Sequence, residues 1–369
     1  MSVAEYSFAI SFSIPVYKTR YNRGMSIRFA TAEEIADWDK KILANPDKGN
    51  LLQSKEFADI KQAGGWKPNC VMADNLALMI LSKKVLSGGT LWYIPRGPGV
   101  VNTTELRSVL PELKIFAAKH GAFAVKIEPE LLWNDETERQ LTDMELVKAH
   151  RVQPGSTVLI NLGPSLDDIM AALNQKARNA IRRAERDGAT VEAVKPTAAN
   201  CYKFYELLSA TAENKFGIHP FEYYEKSWKD YSAAGMGQMF FAYSGKDVIA
   251  AAYSIVMGEK SVYKDGASVR ERPVYGASHL LQWHVIQWAK QQGSKVHDLY
   301  GVPASDKVDD KSDPYYGIGT FKRSFNKHVT DYVGTYDMVV KKSTYNRWRR
   351  FGERLTLGIH WRLHHENWY

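Results

Sequence analysis

Residues 116–121 read FAAKHG, and 172 residues further on, 288–293 read WAKQQG. Each closes a helical pattern at a glycine, and each is followed by an apolar stretch of strand character, AFAVKIEP and KVHDLYGV. Three β-rich stretches precede each helix: NCVMAD, LALMILSKK and GTLWYIPRGPGV in the first half, MGQMFFAYS, DVIAAAYSIVM and SVYKDGAS in the second. One repetition at this spacing indicates a duplicated domain and not a solenoid. The length of 369 residues accommodates two domains, each with its own core.

The expected fold is therefore α+β, built from two tandem units with the order strand–strand–strand–helix–strand. That order is the one found in acyltransferases of the GNAT type, and other α+β folds share it. We expect an irregular N-terminal extension over 1–24, a first GNAT-like domain over 25–155 and a second over 156–341. The segment 342–369 is expected to pack back on the first domain. The short apolar patch FAISFSIPV follows a glutamate and not a basic stretch, so it is read as part of the extension and not as a signal peptide. Met25 opens the folded part with a strand and a Thr-capped helix over 32–43.

The formal net charge of +8 favours an anionic partner. Two cysteines, Cys70 and Cys201, give neither a disulfide framework nor a CxxC zinc spacing, which fits a reducing compartment. The strongest helical pattern, SLDDIMAALNQKARNAIRRAERDG, has a capping-box-like start at Ser165 and Asp168 and an apolar stripe from Leu166 to Ala184. Its other face carries Lys176, Arg178, Arg182, Arg183 and Arg186, either a solvated face or a phosphate-binding one. The tail, KKSTYNRWRRFGERLTLGIHWRLHHENWY, interleaves aromatic and aliphatic residues with arginines. It is read as a docking helix, a tRNA contact or an attachment to the inner membrane face. No GxSxG, HExxH, GxxxxGK[ST] or GxGxxG occurs, so a prepared nucleophile or a phosphate loop is poorly supported. A transferase that aligns two substrates and stabilises developing charge needs none of these.

The segments LLQSKEFADIKQAGGW, WYIPRGPGV, NQKARNAIRRAERDG, LLQWHVIQWAKQQG, HDLYGV and GIGTFKRSF occur in the order seen in the Fem family. The chain resembles these aminoacyl-tRNA-dependent transferases of peptidoglycan interpeptide bridges from about Ser26 to Val340. The resemblance implies a cleft between the domains for a peptidoglycan precursor, UDP-MurNAc-pentapeptide or its lipid-linked form. It implies no cofactor, no metal and no coiled-coil arm, since Gly188 leads within a short distance to CYKFYELLSATAENKFGIHPFEYYEKSW. Lys322, after Phe321, matches the lysine by the reaction centre, where a fixed ammonium stabilises a tetrahedral oxyanion; the alternative is a salt-bridged lysine on a hairpin edge. Lys61 matches a phosphate contact, joined in the second domain by Arg272 or by Arg270. Tyr93, Arg96 and Tyr316 complete the substrate-binding candidates, and the five cations of the basic helix are the tRNA-binding ones. Where the family often has an aspartate before proline, this chain has Glu128-Pro129, for which a role as base and a structural role both stand open. A monomer in the cytoplasm, peripheral at the inner face of the membrane, is expected. An acetyl-CoA-dependent N-acyltransferase, a tRNA-dependent ligase of a peptide natural product and a non-enzymatic RNA-binding module are the competing readings.

Overall fold

The computed structural model describes residues 25–212, 217–271, 273–364 and 366–369. Two sheets form its frame. In the first, the strands Ile27–Phe29, Lys67–Ala73, Leu76–Lys84 and Thr90–Ile94 run antiparallel, and Thr90–Ile94 then pairs in parallel with Ala122–Ile127. In the second, Ala189–Val194, Gly237–Ser244, Asp247–Met257 and Lys260–Ser268 are antiparallel, and Lys260–Ser268 pairs in parallel with Val296–Asp298. Each sheet thus has one parallel pair, at the corresponding place. A parallel pair needs a crossover, which the helices Thr103–Lys119 and Ala277–Gln291 supply. Both helices run into glycines in the left-handed region, Gly121 at φ 77° and Gly293 at φ 90°, which explains the repeated FAAKHG and WAKQQG endings. The two halves are tandem GNAT-like units.

Two expectations are corrected, and one alternative is set aside. The helix expected over 32–43 is two, Ala32–Ala36 and Trp38–Leu43. The break at Asp37 turns Trp38 into the core, where its indole N–H donates to the Gln53 carbonyl at 3.1 Å. The long basic helix also divides, into Leu166–Ala172 and Gln175–Arg186. Leu173 is extended at ψ 152°, and the Asn174 side chain accepts from the Lys176 N–H to start the second helix. The Asn174 N–H meanwhile donates to the Ser324 carbonyl, so a tertiary contact replaces a helical one. The segment around Lys322 is a short helix, Tyr316–Lys322, and not a hairpin edge.

After the second sheet the chain crosses back. The strand Tyr336–Val339 inserts into the first sheet between Ala122–Ile127 and Leu146–Lys148, ahead of the expected boundary at 341. Tyr345, Trp348 and Trp368 are buried in a cluster with Trp38, Phe57, Trp66 and Tyr93. Polar groups anchor this return. The Lys126 ammonium, fully buried in the first sheet, lies 2.9 Å from Asp337 on the returning strand and 3.5 Å from Glu353 on the C-terminal helix. The Tyr345 hydroxyl also donates to Asp337, at 3.0 Å. Lys126→Met should therefore destabilise the fold by about 3–5 kcal/mol, because two buried carboxylates lose their cation. Denaturant unfolding checks this, and a loss below about 1 kcal/mol would show that the cluster relaxes without its lysine.

Candidate active site

A cavity of about 520 Å³ opens where the two halves and the returning tail meet. The helix Lys55–Ala63 starts at Ser54, whose side chain accepts from the Phe57 N–H, and it brings Lys61 to the cavity. The second sheet supplies Lys264, and the segment before the helix Phe221–Ala233 supplies His219. The Lys61 ammonium donates to the main-chain oxygen of Tyr369 at 3.0 Å. Burial, then the charge of Lys264, pushes Lys61 down to about 8. Lys264 moves the other way: burial lowers it, but Asp265, whose carboxylate is 3.3 Å away, outweighs burial together with Tyr223, Tyr224 and Tyr300, and it stays charged. His219 Nδ1 lies 2.9 Å from Glu366, and its ring stacks on Tyr223 at 3.9 Å.

Tyr300 links this cavity to the reaction-centre candidate. It is a non-glycine residue at φ 58°, a backbone conformation held only where the surroundings over-determine it. Its side chain lines the cavity, and its hydroxyl donates to Gln153 at 2.5 Å. Its carbonyl accepts from the Lys322 ammonium at 2.6 Å, and the Gly301 carbonyl accepts from the same group at 3.1 Å. Lys322 is buried at the end of its helix, and loss of solvation pushes it down to about 8, with Asp298 pulling back only in part. Phe321 packs edge-on against His279 and Phe325, so it shapes the wall behind Lys322.

Glu128 is buried and fully engaged. It accepts from the Tyr93 hydroxyl at 2.5 Å, from Thr335 at 2.6 Å and from the Gln153 N–H at 3.1 Å. With three donors on it, the carboxylate organises Tyr93 and Gln153. A continuous set of contacts runs from Glu128 through Tyr93, Gln153 and Tyr300 to Lys322. Arg96, at φ 48°, is buried beside this path; it donates to the Pro154 carbonyl at 2.8 Å, with its guanidinium over the rings of Tyr300 and Tyr332.

The other candidates lie apart. Arg270 is exposed and donates to the Ala210 carbonyl, away from the cavity, and Arg272 lies outside the described residues. Tyr316 is half-buried at the start of the Lys322 helix, and it does not line the cavity. The five cations of the basic helix are unequal. Arg178 turns inward to the carbonyls of Ala171 and Leu173, Arg183 pairs with Asp187 at 3.2 Å, and Arg186 lies 3.8 Å from the same carboxylate. Lys176 and Arg182 are exposed and have no ion pair among the described residues. Lys264, His219, Gln153 and Tyr300 were not singled out from sequence. Only Tyr300 carried a signal, its place in the HDLYGV segment.

Comparison with known proteins matches this architecture. The model of the FemAB family covers residues 30–149 and 234–351. The chain is 24% identical over 318 residues to the UDP-N-acetylmuramoylpentapeptide-lysine N(6)-alanyltransferase of Weissella viridescens, covering 80% of this chain and 91% of that one. It is 21% identical over 403 residues to the lipid II:glycine glycyltransferase of Staphylococcus aureus strain MRSA252, covering 86% and 94%. The crystal structure of FemX superposes with a TM-score of 0.75 at 20% identity, over 87% of this chain and 99% of that one. The family model spans well over half of the sequence and falls on both repeated units, and the chain belongs to the FemAB family.

Proposed function

We propose that this aminoacyltransferase moves an amino acid from aminoacyl-tRNA to the stem-peptide amine of a peptidoglycan precursor. The observation that carries the reading is the buried, twice-anchored ammonium of Lys322 behind a cation-lined cavity. The acceptor amine attacks the aminoacyl ester carbonyl, forming the C–N bond and a tetrahedral oxyanion. Collapse breaks the ester C–O bond, and the amine proton leaves with the ribose oxygen. An ammonium has three N–H donors, and two are spent on the Tyr300 and Gly301 carbonyls. The third is left for the oxyanion. Family membership and the names of the two relatives support the substrate classes. The expected cytoplasmic location, peripheral at the inner membrane face, belongs to the same proposal, as does action as a monomer.

Lys322→Ala is expected to lower kcat by two to three orders of magnitude, the range for losing one oxyanion donor. In the parent enzyme kcat should fall as pH rises through about 8, because the ammonium discharges there and not near its ordinary 10.5. Single-turnover transfer across pH tests both statements, and near-normal turnover in the mutant would remove Lys322 from the chemistry.

Lys61 and Lys264 are assigned to the precursor's phosphates, with an incoming phosphate oxygen replacing the Tyr369 oxygen on Lys61. Replacing either by Ala should raise KM for the precursor by about tenfold or more and leave kcat nearly unchanged. Titration with the nucleotide-linked precursor gives an independent reading, and normal affinity in both variants would move the phosphate site elsewhere.

The tRNA is assigned to the basic helix, with Lys176 and Arg182 as its free cations. Reversing both to Glu should raise KM for charged tRNA and flatten the log–log salt dependence by about 1.5–2, for two lost phosphate contacts. Precursor binding should not change. An unaltered salt slope would return this helix to a solvated surface.

A further inference from the structure

The C-terminal helix carries a second pattern, on its outer side. From residue 350 onward every four-residue step has an apolar residue in its second place, and an arginine precedes it in three of the four: Arg350-Phe351, Arg354-Leu355, Gly358-Ile359 and Arg362-Leu363. Three steps place an arginine beside an apolar residue, and the four-residue spacing lays each set along one side of the helix. The apolar set is open to solvent: Phe351 is 45% exposed, Leu355 52%, Ile359 41% and Leu363 71%. Arg350, Arg354 and Arg362 are exposed, and none of them has an ion-pair partner among the described residues. The one acid of this helix, Glu353, faces inward to Lys126 and Arg349. The inward side is already used: Thr356 is buried, while Leu357 and Trp361 line the cavity.

A surface helix normally exposes polar groups and buries its aliphatic ones. This one buries one side and presents a second apolar row, flanked by arginines. We infer that the outer side of the helix Glu353–His364, with Phe351, docks on an anionic lipid surface, where it serves a lipid-linked acceptor. Aliphatic side chains enter the acyl boundary while neighbouring arginines reach the headgroup phosphates. Among the described residues no helix is long and apolar enough to cross a membrane, so the attachment is interfacial. The cavity lies behind the same helix, about one helix diameter, ~10 Å, from the docking surface. A precursor anchored in the bilayer therefore meets the cavity without leaving it. RNA binding would use the arginines but would leave the aliphatic row without a partner. The acceptor assignment rests on the transferase reading above; the lipid contact does not.

Flotation of the full chain tests the surface, using vesicles of phosphatidylcholine with and without phosphatidylglycerol. At low salt the anionic vesicles should bind on the order of a hundredfold more tightly, as expected for three interfacial arginines. Leu355→Glu/Ile359→Glu and Arg350→Glu/Arg354→Glu should each abolish that binding. All four positions are exposed, and circular dichroism with transfer to the soluble nucleotide-linked precursor verifies that the variants stay folded. Transfer to a precursor embedded in anionic vesicles should fall at least tenfold in both variants while transfer to the soluble one is kept. Failure of the wild type to float, or equal flotation of the variants, overturns the surface. Loss of tRNA binding with flotation intact assigns the arginines to RNA and also overturns it. Equal loss, or no loss, on the two acceptors overturns the link to a lipid-linked acceptor. If the wild type transfers to neither acceptor but still floats through these residues, the transferase reading fails and the lipid surface stands.

Discussion

A lysine without solvent in the middle of a sheet is the constraint on which this architecture turns. Lys126 is fully buried, and an unpaired ammonium there would cost several kcal/mol. Neither of its anionic partners comes from the first unit's own run of chain. Asp337 arrives on a strand that follows the whole second unit, and Glu353 arrives on the helix after it. The first sheet is therefore satisfied electrostatically only when the chain has returned. That return carries Trp368 and Tyr369 onto Trp66, with Trp348 against Phe123 and Trp368, and closes one side of the cavity. The cluster thereby ties stability of the first unit to formation of the site.

A second, partly buried ion pair holds the halves together. Lys260, on the parallel-paired strand of the second sheet, lies 2.9 Å from Glu130, which also accepts from Asn50 at 2.9 Å. Burial alone would raise Glu130, but Lys260 and Arg96 outweigh it and hold the carboxyl below its usual range. Contacts from Glu128 to Lys322 cross the same seam, so the proposed chemistry and the domain packing share their residues. The two lysines assigned to separate tasks, Lys61 and Lys322, are both pushed to about 8 by loss of solvation. On the roles proposed for them, a modest rise in pH would weaken anion binding and oxyanion stabilisation together.

The duplication, the crossover helices and their glycine endings were legible in the sequence because they are local. Periodicity marks a helix, and a glycine marks the left-handed residue that ends it. The importance of Lys322 and Lys61 came from matched segments, and the structure adds what surrounds them. The basic helix shows the limit of this kind of reading. Its apolar stripe runs unbroken through Leu173, yet the Ser324 carbonyl takes the Asn174 N–H and breaks the helix there. Its five cations look alike in sequence, and the distances divide them into paired and free.

By itself, then, the sequence determined the two-unit α+β plan, the positions of the crossover helices and the charge that seeks an anionic partner. These follow from periodicity, turn chemistry and composition, none of which needs a distant residue. Only the tertiary structure decided that Lys264 and His219 join Lys61, that Tyr300 holds Lys322, and that three donors occupy Glu128. Each of those statements joins residues far apart in the chain, and a hydrogen bond depends on distance in space and leaves no period in the sequence. The outer row of the C-terminal helix lies between the two. Its four-residue spacing is written in the sequence, but only packing showed which side was already covered and which was left for a partner.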